Sequence, residues 1–142
     1  MLLLGQSLTD LEVQAHPMTG LLPFHAKKGT LQVGYRSLHV KEDSLVVRNG
    51  DQLVGHEFHR WELHRTSTAD HSKSHTDCKR EINKPKPPWQ VEGWRLQQHP
   101  EGWSHRTLHA SWVHLHWASC SMISHRWRAA LEAEATQEAT AS

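Results

Sequence analysis

The residues best suited to chemistry are His114 and His116, in the stretch Ala110-Ser-Trp-Val-His114-Leu-His116-Trp-Ala-Ser119. Imidazoles titrate near neutrality and can move a proton, orient a nucleophile or ligate a metal. The surrounding run is apolar, aromatic and β-prone, and a strand sends residues i and i+2 to the same face. Both histidines are therefore expected on one face at the end of a strand. A helical pattern starts at Ser119, so the strand delivers its side chains to a strand-to-helix turn. Open α/β sheets keep their ligands and reactive groups at such a crevice. The chain also holds 14 histidines in 142 residues, so an H-x-H pair has an ordinary explanation in composition.

The elements that must position this pair follow from the pattern on either side. Residues 1–7 read as the tail of a helix or a buried strand, followed by a polar turn at Leu8-Thr-Asp-Leu-Glu12. His16-Pro17 favours extended backbone. Residues 18–24, with Gly20 and Pro23, read as an edge or bulged strand, and residues 31–40 as another strand. Asn49-Gly50 predicts a turn between Leu45-Val-Val47 and Gln52-Leu-Val54. In residues 52–63, Leu53, Gly55, Glu57, His59, Trp61 and Leu63 share one face, against Val54, His56, Phe58 and Arg60. Residues 66–88 are rich in Ser, Thr, Lys, Asp and His, end in Lys84-Pro-Lys-Pro-Pro88, and read as a solvated insertion. Strands are expected at residues 89–94 and 107–117, joined by a turn at His99-Pro-Glu-Gly-Trp103. A helix over residues 122–135 places Met122, Ile123, Trp127, Ala130 and Leu131 at helical spacing, with Ser119 or Ser121 as its cap. Together these give one α/β domain over residues 1–135, interrupted at 66–88, with a frayed tail at 136–142.

Composition narrows the function classes. Apolar residues make up 37% of the chain and charged residues 22%, with a mean hydropathy of −0.68. A net charge of +1 with His neutral lacks the basic footprint of a nucleic-acid binder. The two cysteines, Cys78 and Cys120, make no disulfide framework, so a reduced, cytoplasmic setting is the default. Met1-Leu-Leu-Leu-Gly5 has neither the basic region nor the cleavage pattern of a signal peptide. No run approaches the roughly 20 apolar residues of a membrane span, so no membrane partner is expected. His71, His75 and Cys78 have a loosely metal-like spacing without a fourth ligand, and no metal is assigned. The seven tryptophans read as core and rim packing, or as a flat apolar wall for a planar ligand or partner domain.

Four motifs then occur in order: Gly20-Leu-Leu-Pro23, Gly34-Tyr-Arg36, Gly55-His-Glu-Phe-His59 and Ala110-Ser-Trp-Val-His-Leu-His-Trp117. Each is weak alone. Together they resemble the C-terminal glutamine amidotransferase domain of the cobyrinate and hydrogenobyrinate a,c-diamide synthases, from Met1 to about Ala130. The related cobyric acid synthases usually carry Gly where His116 stands. The resemblance implies an incomplete class I glutamine amidotransferase-like (flavodoxin-like) fold, strand-rich with a C-terminal helix. It also implies a triad-type glutaminase, in which a cysteine on a strand-to-helix turn attacks the glutamine side-chain amide. By position His114 matches the catalytic histidine, and His116 stands where a glutamate usually orients it.

The resemblance further implies partners and a departure. In the family the nucleophile lies in a Cys-Gly-Gly turn directly before a segment like Met1 to Asp10. This chain is expected to start just after that turn and to be inactive alone. Cys78 lies in the insertion. Cys120 sits near a helix N-terminus, where thiols are activated, but on the wrong element. ATP and Mg²⁺ belong to an N-terminal ATP-binding domain of the full-length family enzyme, and no G-x-x-x-x-G-K-[ST] loop occurs here. Glutamine and a cobyrinate-type corrinoid are the implied substrates. Gly55-His-Glu-Phe-His59 reads equally as a substrate or domain contact and as a structural strand. The rival reading is a non-catalytic His-rich binding module. A partial domain of this kind is expected to leave apolar faces uncovered and to self-associate.

Overall fold

β-Branched and aromatic residues recurring at alternate positions put nearly half of the described residues into strands. The computed structural model describes residues 1–65, 86–105 and 107–140. Their contacts divide into two units: residues 1–32 with 59–65, and residues 33–58 with 86–140.

In the first unit a short 3₁₀ turn at Leu2–Leu4 precedes β1 (Ser7–Thr9) and β2 (Ala15–Pro17). β1 pairs antiparallel with β2 and parallel with the start of β3 (Phe24–Val40), with Ser7 opposite His25. Leu22, Phe24 and Ala26 are buried. The strand expected at residues 18–24 does not form. Its amides are drawn to the N-terminal segment instead, Met18 to Gln6 O at 2.9 Å, Gly20 to Gly5 O at 2.8 Å and Leu22 to Leu4 O at 2.7 Å. The strand in this region lies earlier, at β2. The turn at Asp10 forms, with its carboxylate accepting from the Glu12 and Gln14 amides.

The second unit contains residues 33–40 of β3 and 52–58 of β4 (Gln52–Arg65), with β5 (Trp89–Gly93), β6 (Leu96–Glu101), β7 (Trp103–His105), β8 (Leu108–Ala110), β9 (Val113–His114) and α1 (Ser121–Thr140). β9 pairs antiparallel with β4, β5 with β3, β6 with β5, and β7 with β8. The Asn49-Gly50 turn leads into β4, with the Val40 amide bonded to Asp51 O at 3.0 Å. Residues 45–47 form no strand, although Val46 and Val47 are buried. A core of Leu38, Val40, Val47, Leu53, Trp89, Val91, Val113, Cys120 and Ile123 lies on one side of these strands.

Several boundaries differ from the sequence expectation for physical reasons. The turn after β5 falls at Trp94-Arg95, where Arg95 takes φ +60°, so His99, Pro100 and Glu101 lie in a strand. The stretch 107–117 is two short strands and then a 3₁₀ turn at Trp117–Ser119. α1 runs through Thr140, helped by an Ala/Glu-rich sequence of high helix propensity. Ser119 does not cap it; its hydroxyl bonds His116 O at 2.9 Å.

The strand-rich α/β character and the C-terminal helix agree with the sequence. The sheet is of mixed direction, with β1–β3 parallel and β1–β2, β3–β5, β4–β9 and β5–β6 antiparallel. The His71, His75 and Cys78 spacing lies outside the described residues.

Candidate functional site

Three of the sequence motifs meet in the second unit, which holds Gly34–Arg36, Gly55–Phe58 and Ala110–Trp117. Arg36, from Gly34-Tyr-Arg36, donates through Nε to Glu57 Oε2 at 2.6 Å, and both side chains are buried. Gly34 has φ +148°, and a Cβ there would lie 2.7 Å from an Arg36 guanidinium nitrogen. The motif glycine therefore makes room for the arginine beneath it. On the opposite side of the strands, Tyr35 packs edge-on against His56, with ring centroids 5.4 Å apart.

The register of β4 and β9 joins the third motif. Glu57 is opposite Val113, and His56 is opposite His114. Opposed residues on antiparallel strands share a face, so His56 and His114 lie on the same side. Leu53, Gly55 and Glu57 are buried while Val54 and Phe58 are exposed, in line with the alternation read from the sequence. Gly55 matters for this pairing. A Cβ on it would collide with the Val113 side chain and come within 2.9 Å of the His114 carbonyl oxygen.

A second buried carboxylate fixes the approach to β9. Glu101 accepts hydrogen bonds from Trp89 Nε1 at 2.8 Å, Ser111 Oγ at 2.6 Å and the Trp112 amide at 2.9 Å. Ser111 Oγ in turn accepts from the Val113 amide at 2.8 Å. Glu101, Ser111 and Val113 thus form a chain of bonds ending next to His114. Sequence reading missed Glu101 because it sits between Pro100 and Gly102, where a turn is the ordinary inference.

His114 and His116 are both exposed. His114 ends β9, and His116 lies beyond it in extended backbone, φ −85° and ψ 105°, before the 3₁₀ turn. The described residue facing His114 across the sheet is therefore His56. His59 Nδ1 accepts the Trp61 amide at 3.2 Å. Cys120 is 5% exposed and belongs to the core. Among the described residues no group of three or more His, Cys, Asp or Glu is placed to hold a metal ion, and no helix is long and apolar enough to cross a membrane.

The described fold and site are those of a strand-rich α/β protein presenting imidazoles on an open sheet face. The chain is similar, over most of its length, to a segment of the cobyrinate and hydrogenobyrinate a,c-diamide synthases. It is 31% identical over 128 residues to a cobyrinate a,c-diamide synthase of Gloeobacter violaceus, which covers 89% of this chain and 24% of the relative. It is 31% identical over 126 residues to a hydrogenobyrinate a,c-diamide synthase of Thermobifida fusca, 87% of this chain and 23% of the relative. A cobyrinate a,c-diamide synthase of a Synechococcus species is 32% identical over 115 residues, 80% of this chain and 22% of that protein. The chain therefore spans under a quarter of the length of these relatives. No family model and no solved structure matches it.

Proposed function

We propose that this chain is the histidine-bearing part of a glutaminase within a glutamine-dependent, ATP-driven ligase that amidates the a and c carboxylates of a cobyrinate-type corrinoid, in cobalamin biosynthesis. The observation that carries this reading is the meeting of three motifs on one set of strands. Gly34-Tyr-Arg36 and Gly55-His-Glu57 are locked by the Arg36–Glu57 pair, and β9 pairs with β4 beside Gly55, which sets His114 opposite His56 on the open face. The names of the relatives supply the substrate and reaction class.

In this reading a cysteine thiol from outside the chain attacks the glutamine side-chain amide. His114 takes the thiol proton and returns it to the departing ammonia. His116 takes the orienting place. Imidazole is a weaker orienter than carboxylate, so the arrangement works as a dyad with assistance. ATP and Mg²⁺ serve an N-terminal ATP-binding domain, where ammonia is consumed. The residues described here contain no phosphate-binding loop, so this chain's part ends with ammonia. Cys120 is not the nucleophile, because its thiol is packed in the core.

The test is glutamine hydrolysis by the purified chain. No glutamate release is expected. Hydrolysis that disappears on His114→Ala would show that the chain carries its own thiol and would overturn this part of the proposal.

A further inference from the structure

We propose that the open cleft lined by residues of β5, β8, β9 and α1 and the segments beside them in the second unit binds a small, uncharged aromatic molecule. The cleft measures about 410 Å³ and is bounded chiefly by Trp89, His109, Leu115, Trp117, Ile123 and Trp127. This volume falls in the range of small-molecule sites.

The walls define the ligand class. None of the described lining residues is Lys, Arg, Asp or Glu, so a charged ligand would enter unpaired and lose its hydration. The walls are rich in rings. Trp117 and Trp127 meet edge-to-face with centroids 5.1 Å apart, and Trp89 and His109 do the same at 4.8 Å. Such surfaces offer both ring faces and ring edges to a further aromatic system. Trp117 and Trp127 are 48% and 41% exposed, so the mouth is open while Trp89 and Ile123 form a buried floor.

The polar groups of the wall point the same way. Trp89 Nε1 and Ser111 Oγ are committed to Glu101. His109 Nδ1 is buried and has no hydrogen-bond partner among the described residues. Burial lowers the His109 pKa to about 4, so the ring is neutral at physiological pH and adds no charge to the wall. The site is separate from the imidazole face. Val113 lines the cleft, whereas His114, next along the strand, lies on the other side.

The experiment is calorimetric titration of the full chain at pH 7 with 2-naphthol, a neutral two-ring probe, and with 2-naphthoate, its anionic counterpart. Saturable one-to-one binding of 2-naphthol is expected, with 2-naphthoate weaker by at least about tenfold. Leu115→Trp, which fills the cleft, and Trp127→Ala, which removes a half-exposed wall, should each weaken 2-naphthol binding by at least about fivefold. Trp127→Ala decides the matter if Leu115→Trp fails to fold. Absence of saturable binding, equal binding of the anion, or undiminished binding by folded Trp127→Ala would overturn the proposal.

Discussion

Arg36 and Glu57 form a buried ion pair, Nε to Oε2 at 2.6 Å, that clamps β3 to β4 directly beneath the strand face carrying His56. A buried pair of this kind contributes little compared with a well-packed apolar substitute, but breaking it takes the guanidinium away from a buried carboxylate. Arg36→Met should therefore destabilise the fold by about 3–5 kcal/mol. Arg36→Met with Glu57→Leu should recover most of that loss, to within about 1–2 kcal/mol of the native chain. Urea denaturation of the single and double variants measures both.

Gly55 lies where β9 packs closely against β4. Adding a Cβ there drives into Val113 and toward the His114 carbonyl oxygen. Gly55→Ala should cost about 1–3 kcal/mol through overpacking. It should also shift the backbone amide resonances of Val113 and His114 more than those of α1, as two-dimensional amide spectra would show.

Glu101 holds the entry to β9 through Ser111 and Trp112. Glu101→Gln keeps the size of the side chain but replaces one acceptor oxygen with a donor. It should destabilise by about 1–3 kcal/mol through mispaired buried groups and should loosen protection of the Trp112 and Val113 amides in hydrogen exchange. Unchanged exchange at those two amides would show that the carboxylate does not anchor the strand.

His109 makes stability depend on pH. Burial lowers its folded-state pKa to about 4 from an ordinary 6.5, so the unfolded chain binds the proton first as pH falls. Its neutral, buried form contributes fully above about pH 6.5. That contribution is lost progressively down to about pH 4, amounting to about 3 kcal/mol over the window. His109→Phe should flatten this part of the stability profile. Asp51 acts lower. The Arg126 side chain first, and the Arg48 amide after it, hold its carboxyl below the usual carboxylate value of 3.8. Its contribution is present above that value and lost as pH falls through the lowered one, so Arg126→Met should lower stability above about pH 4, and its difference from the native chain should shrink as pH falls further.

How much of this was legible in the sequence depended on whether the signal was local. The alternation in residues 52–63 correctly separated the buried Leu53 and Glu57 from the exposed Val54 and Phe58, because a strand's two faces are written in consecutive residues. The spacing of Ile123 and Trp127 likewise announced α1. The placement of residues 18–24 was not legible, because their amides bond to the N-terminal segment rather than to a strand partner. The three-way convergence on Glu101 involves Trp89 and Ser111, twelve residues before it and ten after. No window of local pattern contains that relation. His114 and His116 stood out as a pair by type and spacing, whereas the cross-strand neighbour His56 emerged from register alone.

The proposed role of His114 is glutamine hydrolysis in a corrinoid-amidating ligase. Its most direct test is to replace the matching 128-residue segment of the Gloeobacter violaceus relative with this chain and to measure glutamine-dependent amidation of cobyrinate. The chimera should form amide from glutamine. His114→Ala should abolish that activity while leaving amidation from added ammonia intact. Equal glutamine-dependent activity with and without His114, in a folded chimera, would contradict the account.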